Sequence, residues 1–317
     1  MNEKILLTGG AGWIGSAVAK GLVEAGYQVV ILDNFSTGQR EVIPEGCMVV
    51  EGDILDVELL TNLFADQNFD AVMHFAAKKS VPESQDNPTL YYENNVVGSI
   101  NLLAIMEQFG VTRIVFSSSA SVYAPVEDNL LIPEDYPLSP LSVYGATKMM
   151  VEEIIVSYAE TERLSQFAIL RYFNVAGDAG LNYQEDEAGN LFPIIANKIR
   201  NGETLQIFGN DYDTKDGTGV RDYIHLKDLV DGHLKALESG KSGVFNLGTG
   251  EGYSVLEVVE AFNRLSETGV EYEFVDRRDG DAPFVVADPA LAAAELDFHA
   301  THSLDEMVAD TLRVYEG

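Results

Sequence analysis

A tyrosine and a lysine in the middle of the chain have the types and spacing of a proton-transfer pair. Tyr144 and Lys148 stand four residues apart, which places a phenol and an ammonium on one face of a helix. A nearby ammonium favours the phenolate and lowers the pKa of the tyrosine, so the phenol becomes a usable base near neutral pH. Upstream, residues 117–123 offer serine hydroxyls at the end of a predicted strand. Because Tyr-x-x-x-Lys is common by chance, its meaning depends on the elements that precede it.

A glycine-rich turn follows the first apolar segment of the chain. Residues 5–7 are typical of a buried strand, and Gly9, Gly12 and Gly15 then precede an amphipathic helix. Glycines here let the backbone turn tightly, approach a pyrophosphate without a Cβ, and pack the helix on its strand. The free amides and the positive dipole end of the helix would face the anion. An ordinary strand-to-helix loop is the alternative for an isolated pattern, but the βαβ context predicts dinucleotide binding.

The second predicted strand ends in a carboxylate. Residues 29–32 are apolar and Asp33 follows them, the position from which a carboxylate accepts hydrogen bonds from an adenosine ribose. Asp33 would also repel a 2′-phosphate, which favours NAD over NADP. Preceded by this turn and by a serine-bearing strand end, the Tyr144–Lys148 pair becomes a specific signal.

Strand and helix patterns alternate through the first half of the chain, which predicts an α/β fold built on a doubly wound parallel Rossmann sheet. Helices are predicted over Val57–Ala65 and Tyr91–Gln108. The predicted strands are Ile5–Thr8, Gln28–Leu32, Met48–Glu51, Ala71–Phe75 and Arg113–Ser117.

Polar residues follow these strands, where a doubly wound sheet binds its ligand. They are Asp33, Asp53, residues 74–79 and residues 117–119. Asp53 could contact an adenine, or it could cap the helix that begins after it. The pattern does not decide between these two roles.

The second half predicts a smaller substrate domain interleaved with the first. We expect residues 1–175 to form the NAD-binding domain, with a strand near 243–248 returning to its sheet, and residues 176–317 to form most of the other. The predicted elements are a strand at Ala168–Tyr172 closed by Asn174, a helix at Leu191–Ile199, a strand at Leu205–Phe208, and a helix at 254–265 capped by Ser254.

The composition is strongly acidic, with 51 Asp and Glu against 20 Lys and Arg and a net charge of −31. This argues against nucleic acid and anionic membranes as partners. An anionic ligand would have to be held by a few well-placed arginines. A single cysteine, Cys47, excludes an internal disulfide, and with no signal peptide or membrane span in the pattern we expect a soluble, cytoplasmic protein.

No metal site is expected. Residues 211–217 superficially suggest a calcium loop, but Lys215 occupies a ligand position and Gly217 comes one residue late. The five histidines have no metal-ligand spacing, and we expect His74 and His225 to be hydrogen-bonded structural residues.

Taken together, the motifs resemble those of the extended short-chain dehydrogenase/reductase family, and most closely its UDP-hexose 4-epimerases. The resemblance runs nearly end to end, and the block 207–225 is the most discriminating. The matching segments are residues 8–15, 74–77, 92–95, 116–120, 144–148, 170–174, 207–212, 216–225, 244–248 and 277–281.

The resemblance implies reversible epimerisation at the sugar C4 through a transient 4-keto intermediate, with tightly bound NAD reduced and reoxidised in each turnover. Tyr144 would act as the base, Lys148 would hold the nicotinamide ribose, and Ser119 would hydrogen-bond the reacting sugar oxygen. The implied cofactor residues are Gly9, Gly12, Trp13, Ile14, Gly15, Asp33, Asn34, Asp53, Ile54, Phe75, Ala76, Ala77, Lys79, Asn94, Ser117, Tyr144, Lys148 and Tyr172.

A second set of residues would hold the UDP-sugar by the same resemblance. Arg221 and Arg278 would clamp the diphosphate, for which surface salt bridges are the alternative. The rest of the set comprises Ser119, Asn174, Asn190 and Asp281 as polar contacts, Phe208 beside the base, and Val285. Val285 matches a position whose bulk helps decide whether a 2-acetamido sugar fits, and valine is smaller than the tyrosine of strict hexose epimerases. UDP-N-acetylhexosamines are therefore possible further substrates.

Other functions stay open at this stage. Another NAD-dependent nucleotide-sugar enzyme, such as a UDP-glucuronate or pentose 4-epimerase or a dehydratase, would share the fold, although the acidic pair that 4,6-dehydratases carry beside the tyrosine is missing. A non-catalytic NAD sensor would need the glycine turn but not Tyr144, Lys148 or Ser119. Family members commonly dimerise through the helices after Tyr91 and Tyr144, so a homodimer is expected by analogy.

Overall fold

The computed structural model describes residues 3–126, 130–185, 189–278 and 280–316. The chain forms two compact units. The first contains the chain up to Tyr123, Leu138–Arg171 and Val230–Phe245. The second contains Ala124–Pro137, Tyr172–Leu229 and the chain from Asn246 onward. The interleaving is thus finer than the boundary after residue 175 that the sequence suggests, because 124–137 joins the second unit and 230–245 joins the first.

The strands, in chain order, are β1 Lys4–Thr8, β2 Gln28–Asp33, β3 Met48–Glu51, β4 Ala71–His74, β5 Arg113–Ser117, β6 Leu131–Ile132, β7 Gln166–Tyr172, β8 Asn174–Ala176, β9 Leu205–Phe208, β10 Val220–His225, β11 Gly243–Leu247, β12 Gly252–Ser254, β13 Tyr272–Val275 and β14 Phe284–Ala287. The helices are α1 Trp13–Glu24, α2 Val57–Asp66, α3 Val81–Asp86, α4 Pro88–Tyr91, α5 Gly98–Phe109, α6 Val143–Glu160, α7 Leu191–Asn201, α8 Leu226–Glu238, α9 Val255–Leu265, α10 Ala290–Leu296 and α11 Leu304–Glu316.

The large sheet has seven strands in the order β11-β7-β5-β4-β1-β2-β3. The pairs β1–β2, β2–β3, β1–β4, β4–β5 and β5–β7 are all parallel. Since the chain winds outward in both directions from β1, a crevice opens between the ends of β1 and β4, where such sheets bind ligands. The predicted doubly wound parallel sheet is confirmed.

The sheet is buried on both faces, which explains its near-continuous apolar strands. Ile5, Leu6 and Leu7 of β1 are all 0% exposed. One face packs on α2 and α5 through a cluster that includes Leu60, Leu102 and Phe116. Because the core is formed by the strand interiors, the polar residues at the carboxyl ends are left to face a ligand.

The predicted continuous helix over 91–108 is wrong in one respect. Only its first residue, Tyr91, belongs to α4; a π-helical segment follows at Tyr92–Val97, and then α5. A π turn inserts one extra residue without interrupting the apolar pattern, so hydrophobic spacing does not reveal it. The insertion places Asn95 in the protein interior, where it is 2% exposed.

The second unit contains a sheet in the order β12-β10-β14-β6, with β8 also paired to β10, and a two-stranded ribbon of β9 and β13. Its core includes Phe192, Tyr223 and Phe262. Asn174 does not close β7 as expected, because it begins β8, which runs parallel to β10. Ser254 caps α9 as predicted and forms a capping box with Glu257.

Within the ranges described above, no helix combines the length and apolar character needed to span a membrane. The same ranges hold no group of three or more His, Cys, Asp or Glu side chains arranged to bind a metal ion.

Candidate active site

The glycine-rich turn between β1 and α1 is closed by backbone contacts. Gly9 has φ +73°, and a Cβ there would lie 2.6 Å from the amide nitrogen of Ala76. A Cβ on Gly15 would lie 2.3 Å from the carbonyl oxygen of Gly9, whereas one on Gly12 would have no neighbour closer than 3.5 Å. Gly9 and Gly15 are therefore needed for the turn itself. A side chain at Gly12 would not collide with the protein, so the glycine is explained by a ligand that approaches the backbone there.

The first turn of α1 suits an anion. Its N-cap is Gly12, no side chain caps its amides, and its first turn contains no acidic residue. Uncapped amides and the helix dipole attract negative charge there. Together with the open face of Gly12, this fits the pyrophosphate of a dinucleotide.

Asp33, at the end of β2, is held rigidly. It is 8% exposed, and its two oxygens accept hydrogen bonds from the Ala11 and Phe35 amides, each at 2.9 Å. Each oxygen retains acceptor capacity. The carboxylate is thus fixed against the glycine turn with lone pairs available for the hydroxyls of a ribose.

Asp53 does not cap a helix. The cap of α2 is Asp56, whose side chain accepts from the Leu59 amide at 3.0 Å. Asp53 accepts instead from the Leu55 amide at 2.9 Å and from the Asn34 side chain at 2.7 Å. The structure thereby decides against the capping role and ties Asp53 to Asn34, two of the expected cofactor residues.

The loop after β4 lies directly against the glycine turn. The amide of Ala76 is the atom that a Cβ on Gly9 would strike, and the ring of Phe75 packs 5.0 Å from that of His233. Lys79 is exposed. Of the other expected cofactor residues, Trp13, Ile54, Ser117 and Tyr172 are buried, while Ile14, Ala77 and Asn94 are half-buried.

Tyr144 lies in the first turn of α6, which begins where the Ser142 side chain caps the Gly145 amide at 3.0 Å. Its phenol forms a hydrogen bond with the Ser119 side chain. Ser119 follows β5, and its hydroxyl also lies 3.2 Å from that of Ser121. The expected base and hydroxyl donor are thus in direct contact.

Lys148 is one helical turn further along α6 and is 3% exposed. Its Nζ donates to the Ser117 carbonyl at 2.6 Å and lies 6.0 Å from the centre of the Tyr144 ring. Burial lowers the pKa of Lys148 to about 7, although the charge of Glu152 opposes this.

The expectation that the phenol would have a lowered pKa is not met in the protein alone. Burial raises the pKa of Tyr144, and its hydrogen bond with Ser119 acts in the opposite direction. The ammonium of Lys148 is directed at a carbonyl rather than at the phenol, so spacing along the helix overstated its effect. Further positive charge must reach the phenol before it can serve as a base near neutral pH.

Asn95 connects the loop after β4 with α6, the helix that carries Tyr144 and Lys148. Its side chain accepts from the Lys78 amide at 2.8 Å and donates to the Lys78 carbonyl at 3.0 Å. It also donates to the Thr147 hydroxyl at 3.0 Å, which in turn donates to the Tyr144 carbonyl at 2.7 Å. Asn95 lies in the matching segment 92–95 but is not among the predicted site residues. The π turn positions it, and no local pattern signals that turn.

His74 is a structural residue, as predicted. Its ring nitrogens lie 2.6 Å from the Thr8 hydroxyl and 2.7 Å from the Ser99 hydroxyl. Burial, and secondarily the charge of Lys148, lowers the pKa of His74 to about 3, so the ring is neutral. His225 accepts from the Lys227 amide at 3.0 Å and stacks on His302, which also agrees with a structural role.

In the second unit, Arg221 and Val285 are register partners on the parallel strands β10 and β14. Register partners project to the same face of a sheet, and Tyr253 of β12 is in register with Arg221 on its other side. An Asp281 oxygen lies 4.0 Å from the Arg221 guanidinium. An ion pair at this distance, with both side chains partly exposed, is weak. Arg221 can therefore leave Asp281 to bind an anion of higher charge. Tyr253 is a further candidate that the sequence reasoning missed.

Arg278 and Phe208 are brought together by the β9–β13 ribbon, with the guanidinium 3.7 Å from the ring centre. Asn174 donates to the Asp222 carbonyl at 3.1 Å. Asn190 caps α7 and also donates to the Glu185 carboxylate at 2.8 Å. Both asparagine side chains therefore have structural partners, while Arg221, Asp281, Arg278 and Phe208 form two pairs suited to a nucleotide diphosphate.

Comparison with known proteins extends this picture. The model of the NAD dependent epimerase/dehydratase family matches residues 5–248. A UDP-glucose 4-epimerase from Bacillus subtilis is 45% identical, over 98% of this chain and 96% of its own length.

Solved structures agree. A UDP-glucose 4-epimerase from Stenotrophomonas maltophila, with bound NAD and formylated UDP-arabinopyranose, has a TM-score of 0.95 and 38% identity, covering 99% of this chain and 98% of the other. Another from Bifidobacterium longum, in complex with NAD+ and UDP, has a TM-score of 0.89 and 38% identity, covering 98% and 97%.

Proposed function

The chain belongs to the NAD dependent epimerase/dehydratase family, and on that premise we propose that it inverts C4 of UDP-hexoses, interconverting UDP-galactose and UDP-glucose. NAD is its cofactor. The observation that carries the proposal is the contact between Tyr144 and Ser119, with Lys148 one turn along the same helix. These three groups supply a base, a hydrogen-bond donor and a fixed positive charge at the ends of neighbouring elements.

Tyr144 is the base of the proposed reaction. As phenolate it removes the proton of the sugar 4-hydroxyl, and it returns a proton when the 4-keto sugar is reduced. Ser119, already bonded to the phenol, donates to the same sugar oxygen and stabilises the charge that develops on it. When bound, NAD accepts hydride from C4 and gives it back to the opposite face, and its cationic ring supplies the positive charge that the phenol lacks in the protein alone.

Lys148 has two tasks in this scheme. Its ammonium holds a ribose hydroxyl of the cofactor, and the hydrogen bond that fixes it to the Ser117 carbonyl at 2.6 Å supports this role. Its charge also favours the phenolate over the phenol. Both tasks need the protonated amine.

The remaining cofactor contacts follow the glycine turn and the ends of β2 and β4. The amides of α1 and the open face of Gly12 receive the pyrophosphate, and Asp33 receives the adenosine ribose. The other proposed cofactor residues are Gly9, Trp13, Ile14, Gly15, Asn34, Asp53, Ile54, Phe75, Ala76, Ala77, Lys79, Asn94, Ser117 and Tyr172.

The second unit anchors the nucleotide. Arg221 and Arg278 clamp the diphosphate, and Phe208 packs beside the base. Asp281, Asn174 and Asn190 supply the polar contacts to the diphosphate and uridine. Inversion requires the 4-keto sugar to turn over, so the nucleotide must be held firmly and the sugar loosely. Arg221 lies on β10 and Arg278 follows β13. In the contacts described above neither has a strong salt bridge, which supports such an anchor.

Val285 sets the range of sugars. It is half-buried beside Arg221 in the sheet, so a larger side chain there would fill space on the face that carries the arginine. We therefore include UDP-N-acetylhexosamines among the substrates.

The protein acts as a cytoplasmic homodimer in this proposal. Three apolar side chains on or before α5 and on α6 remain exposed, namely Val97 (45%), Ile100 (41%) and Met150 (37%). Burying them against a second copy would be favourable. The free thiol of Cys47 agrees with a reducing compartment. Light scattering that gives a monomer at micromolar concentration would rule out the homodimer.

The decisive experiment uses purified protein without added cofactor. UDP-galactose and UDP-N-acetylgalactosamine are incubated separately, and the anomeric signals are followed by NMR. Conversion of the first to UDP-glucose establishes epimerisation with retained NAD, and the second tube tests the wider range. If neither sugar changes after NAD is supplied, the proposal is wrong.

A further inference from the structure

A buried ion pair lies directly behind the catalytic residues. Tyr144, Lys148 and Glu152 follow one another along α6 at steps of four, so they lie along one face of the helix. Glu152 is 3% exposed and Arg171, on β7, is 4% exposed. Neither belongs to the catalytic or binding sets described so far.

The contacts of this pair are numerous and specific. The Arg171 Nε donates to both Glu152 oxygens, at 3.0 and 3.1 Å, and its Nη2 donates to Oε2 at 2.5 Å. Arg171 also donates to the Tyr123 hydroxyl at 3.1 Å. The Ser118 hydroxyl donates to Oε1 of Glu152. The carboxylate is thus locked between β5, α6 and β7.

Stability alone does not account for charges at this position. Removing a carboxylate and a guanidinium from water is costly, and well-packed apolar residues often replace a buried pair without loss. The location offers a better reason. Ser118 stands between Ser117, whose carbonyl accepts from Lys148, and Ser119, which bonds Tyr144. The carboxylate therefore holds the strand end that carries the catalytic contacts.

The surroundings of Lys148 single out Glu152 as its counter-charge. Two strands contribute neighbours of Lys148. His74 on β4 is neutral, and β5 contributes the Phe116 ring, whose centre is 4.8 Å from Nζ, and the Ser117 carbonyl. On α6 Lys148 faces the Tyr144 phenol and Glu152, behind which stands the positive Arg171 of β7. Glu152 opposes the loss of the lysine proton that burial promotes.

We propose that Glu152 and Arg171 are positioning residues of the epimerisation: the carboxylate, fixed by Arg171 and Ser118, keeps the Lys148 ammonium charged beside Tyr144. The inference rests on the proposed function. Burial brings the pKa of Lys148 to about 7, so the charge that both tasks of the lysine require is marginal near neutral pH. Without Glu152 the nearby Arg171 would lower that pKa further.

The test is the pH dependence of kcat for UDP-galactose in a Glu152→Gln variant. The alkaline limb should move to lower pH by about one unit, the size of effect that a neighbouring opposite charge has. At pH 8 kcat should fall about tenfold, while KM changes less than about twofold, because the nucleotide is anchored by other residues. Glu153→Gln is the matched control, since it removes an exposed carboxylate from the next position of the same helix, and its alkaline limb should match wild type.

A double variant, Glu152→Gln with Arg171→Met, separates the charge effect from folding. It removes the guanidinium that has lost its carboxylate partner, so the free energy of unfolding in urea should approach that of wild type even if the single variant folds poorly. The inference holds if the double variant is as stable as wild type and its alkaline limb still lies at lower pH than that of wild type. It is overturned if a folded Glu152→Gln protein keeps the wild-type profile, or if the double variant restores the profile with the stability. An inactive wild type would instead refute the proposed function.

Discussion

Replacing Gly15 with alanine tests how tightly the glycine turn is closed. The new Cβ would lie 2.3 Å from the Gly9 carbonyl oxygen and 2.9 Å from the Gly10 Cα. Both are backbone atoms, so no flexible side chain can yield. The carbonyl would have to retreat by about 1 Å to reach ordinary contact distance.

Three terms set the size of the effect. The Gly9 carbonyl accepts from the Gly12 amide at 3.3 Å, and loss of that bond costs about 1 kcal/mol. Forcing a methyl into a closed site costs about 1–3 kcal/mol. Alanine regains about 1 kcal/mol over glycine within a helix. The free energy of unfolding of the protein without NAD should therefore fall by about 1–3 kcal/mol, and NAD affinity should fall because the turn opens.

Gly12→Ala is the matched comparison. A Cβ there meets no protein atom closer than 3.5 Å, and φ is −78°, which alanine adopts freely. The free energy of unfolding should therefore stay within about 0.5 kcal/mol of wild type. NAD affinity should still fall, since the methyl occupies the face where the pyrophosphate approaches.

The assay combines urea unfolding of NAD-stripped protein with a fluorescence titration of NAD. A Gly15→Ala protein as stable as wild type would show that the turn relaxes freely. Full NAD affinity in Gly12→Ala would place the pyrophosphate elsewhere and refute the argument from the glycine spacing.

Three further predictions concern catalysis, specificity and pH. Tyr144→Phe should lower kcat about 10²- to 10⁴-fold, the usual contribution of a general base. Bound NAD, measured by absorbance after unfolding, should still be present, because the glycine turn and Asp33 keep their proposed contacts to the cofactor. Val285→Tyr should abolish turnover of UDP-N-acetylgalactosamine in the NMR assay and spare UDP-galactose; a variant that treats both sugars as wild type does would contradict the specificity role. His74 has a folded pKa of about 3, below its unfolded value of about 6.5, so its stabilising contribution is complete above pH 6.5 and is lost as pH falls toward 3. The free energy of unfolding in urea should therefore fall less between pH 6.5 and 4.5 in His74→Gln than in wild type.

The sequence by itself was sufficient for the strands of the large sheet and their order along the chain, but not for the π-helical segment at Tyr92–Val97 or for the short strands β6, β8 and β12. Strand and helix identity follows from local periodicity and from breaks such as Gly9 and Gly12, and alternation leaves few ways to wind a parallel sheet. For that reason residues 113–117 are a strand within the bounds expected, and Ser254 begins a helix as expected. The pair Tyr144 and Lys148 was also identifiable, because a helix fixes the relation of residues four apart.

Only the tertiary structure decided what surrounds these residues. The raised pKa of Tyr144 and the lowered pKa of Lys148 result from burial, which depends on distant segments packed over the site. The partners Glu152 and Arg171, 19 residues apart, and Arg221 and Asp281 meet through sheet packing and register. Local sequence patterns do not predict these contacts or pKa shifts, because the free energies of burial and pairing depend on the assembled core rather than on any one segment.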